Sequence, residues 1–312
     1  MTSHSPIPVS SYRGRLAPSP SGYLHVGHAR TFWTAFQRAR EAGGALVMRM
    51  EDLDPDRSRA SFAEAALEDL RWLGIRWQEG PDIGGPFAPY EQSGRRHVYL
   101  EAWRTLLRGG FLFPCRCSRK DLETELAAAH ESASTAVQAI PAQDLLDDEP
   151  IYPGTCRPYQ DSAKRVIESG KGEIDRPEGF HWRFRVPDGE AIEFEDRNLG
   201  PQRFIAGKDF GDFVIWRRDG GPSYQLACVA DDAAMRITEV VRGADLLKST
   251  ARQILLNRAL GFANPDWFHC GLVVDGQGRR LAKRHDSLSL RTLRQRGYSP
   301  TSILSGELPV GV

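Results

Sequence analysis

The chain has 312 residues, enough for one large or two ordinary domains with a sizeable core. Lys+Arg and Asp+Glu both number 41, so the formal net charge is zero. That balance excludes a global positive field, and any nucleic-acid contact must rely on a local basic patch. No apolar run reaches bilayer-crossing length, and the odd set Cys115, Cys117, Cys156, Cys228 and Cys270 fits a reducing cytoplasm better than a disulfide framework.

Residues 1–11 are polar and bear Pro and Ser, and they read as a disordered leader without the apolar core of a signal peptide. A short apolar strand is expected at 15–17, followed by the turn Pro18-Ser19-Pro20-Ser21-Gly22. After 25–28 the residues Ala29, Phe32, Trp33 and Phe36 fall at helical spacing through about Glu41, and Gly43-Gly44 stops the helix. Leu46-Val47-Met48-Arg49-Met50 then reads as a buried strand. This strand–turn–helix–strand order predicts a parallel α/β sheet.

Further helices are expected at 61–72, with Ser61 as cap and Glu64 in the capping-box position, and at 95–108, stopped by Gly109-Gly110. Residues 111–117 are strand-like, and the Ala/Ser/Asp/Glu-rich stretch 122–150 reads as a helix followed by a mobile loop near 127–150. Strands at 180–186, 191–195 and 212–217 suggest an inserted mixed β region. The α/β pattern returns with a helix near 224–231, a strand at 237–241 and a helix at 245–260. No internal repeat is visible.

His25-Val26-Gly27-His28 stands where a strand and a Pro/Gly turn feed a helix. A helix start offers unpaired N–H groups and a partial positive charge, which suits phosphate, and two imidazoles on one turn add donors. Gly27 is expected to let a base or ribose approach the backbone.

The run from Arg15-Leu16-Ala17-Pro18-Ser19 through His25-Val26-Gly27-His28-Ala29-Arg30 resembles the opening of glutamyl-tRNA synthetases, class I enzymes with a Rossmann-type catalytic domain. Four later segments resemble further blocks of that family, in its order. They are Arg49-Met50-Glu51-Asp52-Leu53-Asp54, Gly221-Pro222-Ser223-Tyr224-Gln225 with the paired acids Asp231-Asp232, Val241-Arg242-Gly243-Ala244-Asp245, and Arg279-Arg280-Leu281-Ala282-Lys283-Arg284. The last is similar to the signature written KMSKS, with Arg280, Ala282 and Arg284 as departures and Lys283 at its second lysine.

The resemblance implies ATP with Mg2+ as substrate, and His25, His28 and Lys283 as the catalytic groups. His25, Gly27, His28 and Lys283 would bind the nucleotide, and Arg15, Ala17, Ser19, Glu51, Tyr224 and Arg242 would bind glutamate. Two carboxylates and one ammonium call for such a set of cations, one acid and hydroxyls. Glu51 is assigned to the α-ammonium and Arg15 to the side-chain carboxylate.

Cys115 and Cys117, one residue apart, together with Tyr152 and Cys156 resemble the ligand set of one structural Zn2+ in short members of the family, the alternative being three free thiols. The implied organisation is a Rossmann first half at 12–110 and an inserted acceptor-type α/β subdomain at 111–200. A second half with the lysine loop follows at 201–291, then a short C-terminal tail at 292–312.

With so little chain after Lys283, no anticodon-binding domain is expected, and the resemblance narrows to the glutamyl-Q tRNA(Asp) synthetase family. Its reaction is tRNA-independent activation of glutamate, then transfer to the queuosine base at the wobble position of tRNA(Asp). Arg116, Arg119 and Lys120 are candidate phosphate contacts, or solvated surface charge. A cytoplasmic monomer with no membrane partner is expected. The alternatives are charging of the 3′ end of tRNA(Glu), or an inactive RNA-binding paralogue.

Overall fold

The computed structural model describes residues 11–118, 120–122, 151–157, 176–272 and 289–305. Residues 1–10 of the expected leader at 1–11, residues 123–150 of the expected helix and loop at 122–150, Arg119, Lys283 and residues 306–312 lie outside the described residues. Among the described residues no helix is long and apolar enough to cross a membrane.

The chain opens with β1 (Arg13–Leu16), α1 (Val26–Glu41) and β2 (Ala45–Met48), and β1 pairs with β2 in parallel. Next come α2 (Ala60–Trp72), α3 (Arg96–Arg108) and β3 (Leu112–Cys115). Then follow β4 (His181–Phe184), β5 (Ala191–Asp196), β6 (Gly200–Ile205) and β7 (Phe213–Trp216). The rest is α4 (Tyr224–Ala234), β8 (Glu239–Gly243), α5 (Leu247–Leu260), β9 (Asp266–Cys270), α6 (Leu290–Gln295) and α7 (Pro300–Ser305).

β8 and β9 are parallel in a four-stranded sheet ordered β6-β5-β9-β8, while β3, β4 and β7 form a separate antiparallel sheet. β1 lies beside the entry to β8: Thr238 N donates to Arg13 O at 2.9 Å, and Arg13 N donates to Thr238 Oγ1 at 2.8 Å. The parallel strands that frame the site thus run β2, β1, β8, β9.

Alternate residues of a strand face opposite sides, so a strand covered on both faces is apolar throughout. Leu46 and Met48 enter a core with Val26, Ala29, Phe32 and Leu70 from α1 and α2, while Val47 enters the other core with Tyr99, Trp103, Leu226 and Leu255 from α3, α4 and α5. Val240 and Val241 divide between the same two cores. This is the α/β layering expected from the order of elements.

Several expectations are corrected. Ser61 does not cap α2. The helix begins at Ala60 after Arg59, which makes no side-chain cap, and its entry is set by Arg59 N donating to Pro20 O at 3.0 Å. The pinned turn before the helix replaces the capping box. β6 and β9 were not anticipated. β6 carries Pro201, Gln202 and Arg203 and shows no clean alternation, while β9 follows the breaker Asn264-Pro265 as a short run that could have been read as a strand. β5, expected as part of a local β region, also pairs in parallel with β9 at Asp196 and Trp267.

Candidate active site

β1 and β2 do not stop pairing at their ends. Arg49 N donates to Leu16 O at 2.8 Å and Glu51 N donates to Pro18 O at 2.9 Å, so residues 17–19 run alongside 49–51. This brings Ala17, Ser19 and Glu51 to the carboxyl ends of parallel strands, where α/β sheets open crevices. The cleft there has a volume of about 1010 Å³. Arg15, Ala17, Ser19, His25, Gly27, His28, Glu51, Tyr224 and Arg242 all line it.

His25 is the N-cap of α1. Its Nδ1 accepts from Gly27 N at 3.1 Å, and its own backbone N donates to His28 Nδ1 at 3.3 Å. Both Nδ1 atoms are therefore acceptors, and each neutral ring carries its proton on Nε2. The ring centroids lie 3.8 Å apart with the planes tilted by 31°. Gly27 also makes room for this cap: a Cβ there would lie 2.9 Å from His25 Cε1. The first turn of α1 holds no acidic residue, so its positive end remains available to an anion.

A buried ionic network forms the floor. Arg49, with no exposed surface, donates to Asp232 Oδ1 at 2.6 Å and Glu51 Oε1 at 3.0 Å, and its Nε lies 3.9 Å from Asp231 Oδ2. The three carboxylates hold its pKa well above the usual value. Asp231 in turn accepts from Arg95 Nε at 2.6 Å, Gln92 Nε2 at 2.8 Å and the Tyr99 hydroxyl at 2.9 Å. Arg15 donates to Val241 O at 2.7 Å, and its Nε, 3.7 Å from Asp232, has no hydrogen-bond partner among the described residues. The Cys228 thiol, pushed well up by burial and by Glu51, donates to Glu51 at 3.4 Å.

Arg242 on β8 is also buried, but among the described residues its partners are uncharged side chains. It donates to Gln253 Oε1 at 2.9 Å, Thr250 Oγ1 at 2.6 Å and His269 Nε2 at 3.2 Å. Gln253 passes the chain on to Gln225 Oε1 at 3.0 Å, and Gln225 Nε2 donates to Ser249 Oγ at 2.7 Å. Tyr224 opens α4 beside this network, and burial pushes its phenol well above its ordinary value, so it remains a neutral donor. Sequence reasoning missed Arg49 as a clamp, the Asp231 cage, and His269 with Asp196. Arg49 stood inside a quoted motif, whereas His269 and Asp196 had no local signal.

At the mouth, Tyr23 meets Phe62 edge-on at 4.9 Å, and the Arg291 guanidinium lies 5.5 Å from the Tyr23 ring centre. Gly271, Leu272 and Ser289, which flank residues 273–288, line the same cleft, and Leu290 N donates to Leu24 O at 2.7 Å.

The four residues expected to hold a metal come together away from the cleft. The three thiol sulfurs of Cys115, Cys117 and Cys156 lie within 4.8 Å of one another. The Tyr152 hydroxyl is 3.5 Å from Cys115 Sγ and 3.8 Å from Cys117 Sγ, and it accepts from Cys156 N at 2.7 Å. Burial and the Cys156 contact push the Cys117 thiol up to about 12, while Cys156 is lowered by hydrogen bonds from the Arg116 backbone and Tyr152 against an opposing burial effect. The Arg183 cation lies 4.0 Å from the Tyr152 ring centre. Arg116 and Lys120 are exposed, and the Arg116 guanidinium sits 5.1 Å from the Phe180 ring centre.

Residues 11–312 match the family model described as tRNA synthetases class I (E and Q), catalytic domain. A protein of Symbiobacterium thermophilum named Glutamyl-Q tRNA(Asp) synthetase is 47% identical over 292 residues, 93% of this chain and 84% of that protein. One of the same name from Nitratidesulfovibrio vulgaris is 45% identical over 297 residues, 95% of this chain and 85% of that protein. Among solved structures, the glutamate-tRNA synthetase of Elizabethkingia anophelis superposes with a TM-score of 0.72 at 27% identity, over 92% of this chain and 54% of that one. The chain thus spans about half the length of that solved structure. On sequence and fold together, the chain belongs to the class I tRNA synthetases (E and Q), a family of ATP-dependent ligases.

Proposed function

We propose that the protein activates glutamate with ATP as glutamyl-adenylate without needing tRNA, then transfers the glutamyl group to the queuosine base at the wobble position of tRNA(Asp). The observation that carries this reading is the single cleft. It is lined by buried Arg15 and Arg242 and by Glu51, and also by two close-packed imidazoles at a helix start. The first group suits a dicarboxylic amino acid, with Glu51 on the ammonium, and the second suits the phosphates of ATP carrying Mg2+. Juxtaposed, they bring a carboxylate to an α-phosphate, and the main catalytic requirement is positioning. Lys283 would follow the charge that develops on the phosphates. The aromatic pair at the mouth with Arg291 suits a splayed nucleobase.

Transfer to queuosine is supported by the names of two relatives that this chain covers over more than four-fifths of their length. The competing reading, charging of tRNA(Glu), is supported by the likeness to a glutamate-tRNA synthetase of known structure. The deciding experiment gives labelled glutamate and ATP to the protein with queuosine-containing tRNA(Asp), queuosine-free tRNA(Asp) and tRNA(Glu). Label is expected on the first alone. Label on tRNA(Glu), or on both forms of tRNA(Asp), overturns the proposal. Pyrophosphate exchange driven by glutamate without tRNA separates either reading from an inactive RNA-binding paralogue.

Cys115, Cys117, Cys156 and Tyr152 suit one structural Zn2+. Tetrahedral Zn–S bonds of about 2.3 Å set sulfurs ~3.8 Å apart, and Cys117 and Cys156 already stand 3.5 Å apart. Metal analysis of purified protein is expected to give about one zinc per chain, and Cys117→Ser should lower it steeply. A metal-free protein with unchanged melting behaviour removes zinc from the account.

A further inference from the structure

His269 on β9 has no exposed surface, and the sequence motifs leave it without a role. Its Nδ1 lies 2.6 Å from Asp196 Oδ2 on β5, and its Nε2 accepts from Arg242 Nε on β8. An arginine Nε–H can only donate, so Nε2 holds a lone pair and the ring proton resides on Nδ1, pointed at Asp196. Asp196 is itself fixed. Its Oδ1 accepts the backbone N–H groups of Asn198 at 3.0 Å and Leu199 at 2.9 Å, and the backbone N–H of His269 reaches Oδ2 at 3.1 Å.

The groups facing the ring are Asp196 from β5, Arg242 from β8, Thr250 from α5 at 3.1 Å and, at longer range, Arg15 from β1. Burial and the Arg242 charge bring the imidazole pKa down to about 4. A cationic His269 would set two buried positive charges against each other, so the neutral ring is the stable partner.

A guanidinium has five N–H groups. Those of Arg242 meet one partner each on Nε and on the two terminal nitrogens. Among the described residues this leaves one N–H on each terminal nitrogen without a partner, and Arg242 lines the cleft; a planar carboxylate engages such a pair bidentately.

We propose that His269 and Asp196 are positioning residues of the amino-acid site: a neutral imidazole, anchored through Nδ1–H to Asp196, holds the Nε edge of Arg242 so that its terminal edge is presented to the carboxylate of an acidic amino acid. This rests on the reading that the cleft takes glutamate. It adds a second layer to the site, supplied by the β5–β9 pairing.

Two substitutions split the ring into its halves. His269→Asn keeps an amide donor near Nδ1 and loses the acceptor for Arg242. His269→Gln keeps a carbonyl near Nε2. In ATP–pyrophosphate exchange, His269→Asn is expected to raise the glutamate KM about tenfold or more with kcat within about threefold, and His269→Gln to stay close to wild type in both. Equal KM shifts in the two variants, or none in either, overturn the proposal.

A measurement on the wild-type protein needs no variant to fold. Histidine 15N NMR should show a neutral, Nδ1-protonated ring that does not change between pH 6 and 8. An Nε2-protonated ring, or a titration midpoint near the ordinary histidine value of about 6.5, overturns the proposal. Wild-type protein that does not exchange pyrophosphate with glutamate sinks the functional reading instead, and the NMR result still decides the state of the ring.

Discussion

Arg49→Met is expected to lower the unfolding midpoint by roughly 10 °C, corresponding to about 3–5 kcal/mol. The arginine is fully enclosed and answers Glu51 and Asp232 directly, with Asp231 a little farther off. Methionine fills much of the same volume, so the loss reports charge and not a cavity. Asp232 would keep only the longer contact to Arg15, and Glu51 only the Cys228 thiol. The double variant Arg49→Met with Asp232→Asn is expected to recover part of the loss, because it removes one orphaned charge. Thermal unfolding of both proteins checks this. A single variant melting within about 2 °C of wild type would show that the network contributes little to stability.

Lys283→Ala is expected to cut glutamate-dependent pyrophosphate exchange by about two to three orders of magnitude, with little change in glutamate affinity. The lysine lies outside the described residues. Five residues separate it in sequence from Ser289, which lines the cleft and bridges to His25. A cation that follows charge on the phosphates acts in the transition state, so kcat should fall while ground-state binding of the amino acid is spared. Lys283→Arg should retain part of the rate through its charge. Near-normal exchange in Lys283→Ala would remove the lysine from the chemistry.

The parallel strands and helix of the opening were legible because their signals are local. The Pro/Ser/Gly turn, the 3.6-residue apolar spacing and the Gly43-Gly44 stop all lie within a single window of sequence. The cleft-lining set was legible for a different reason. Arg15, Glu51, Tyr224 and Arg242 each stood in a motif that resembled a known family, and residue chemistry then suggested a ligand. What remained hidden was built by pairing at long range. Asp196 and His269 are far apart in sequence, and only the parallel contact of β5 with β9 brings them together. The cap of α2 was misread because a backbone bond from Arg59 to Pro20, set by tertiary packing, outweighed a local capping signature at Ser61. The second demand on Gly27, room for the folded-back His25 ring, was not visible in the sequence because it depends on the conformation of the cap.

The floor of the cleft has a consequence for which amino acid it prefers. Arg15, Arg49 and Arg95 contact Glu51, Asp231 and Asp232 there, whereas among the described residues Arg242 meets no acid directly, with Asp196 set behind the His269 ring. The terminal edge of Arg242 is therefore best matched by a second carboxylate on the ligand. Glutamate meets that condition, whereas glutamine, the same length and nearly the same shape, would leave one enclosed cation unanswered.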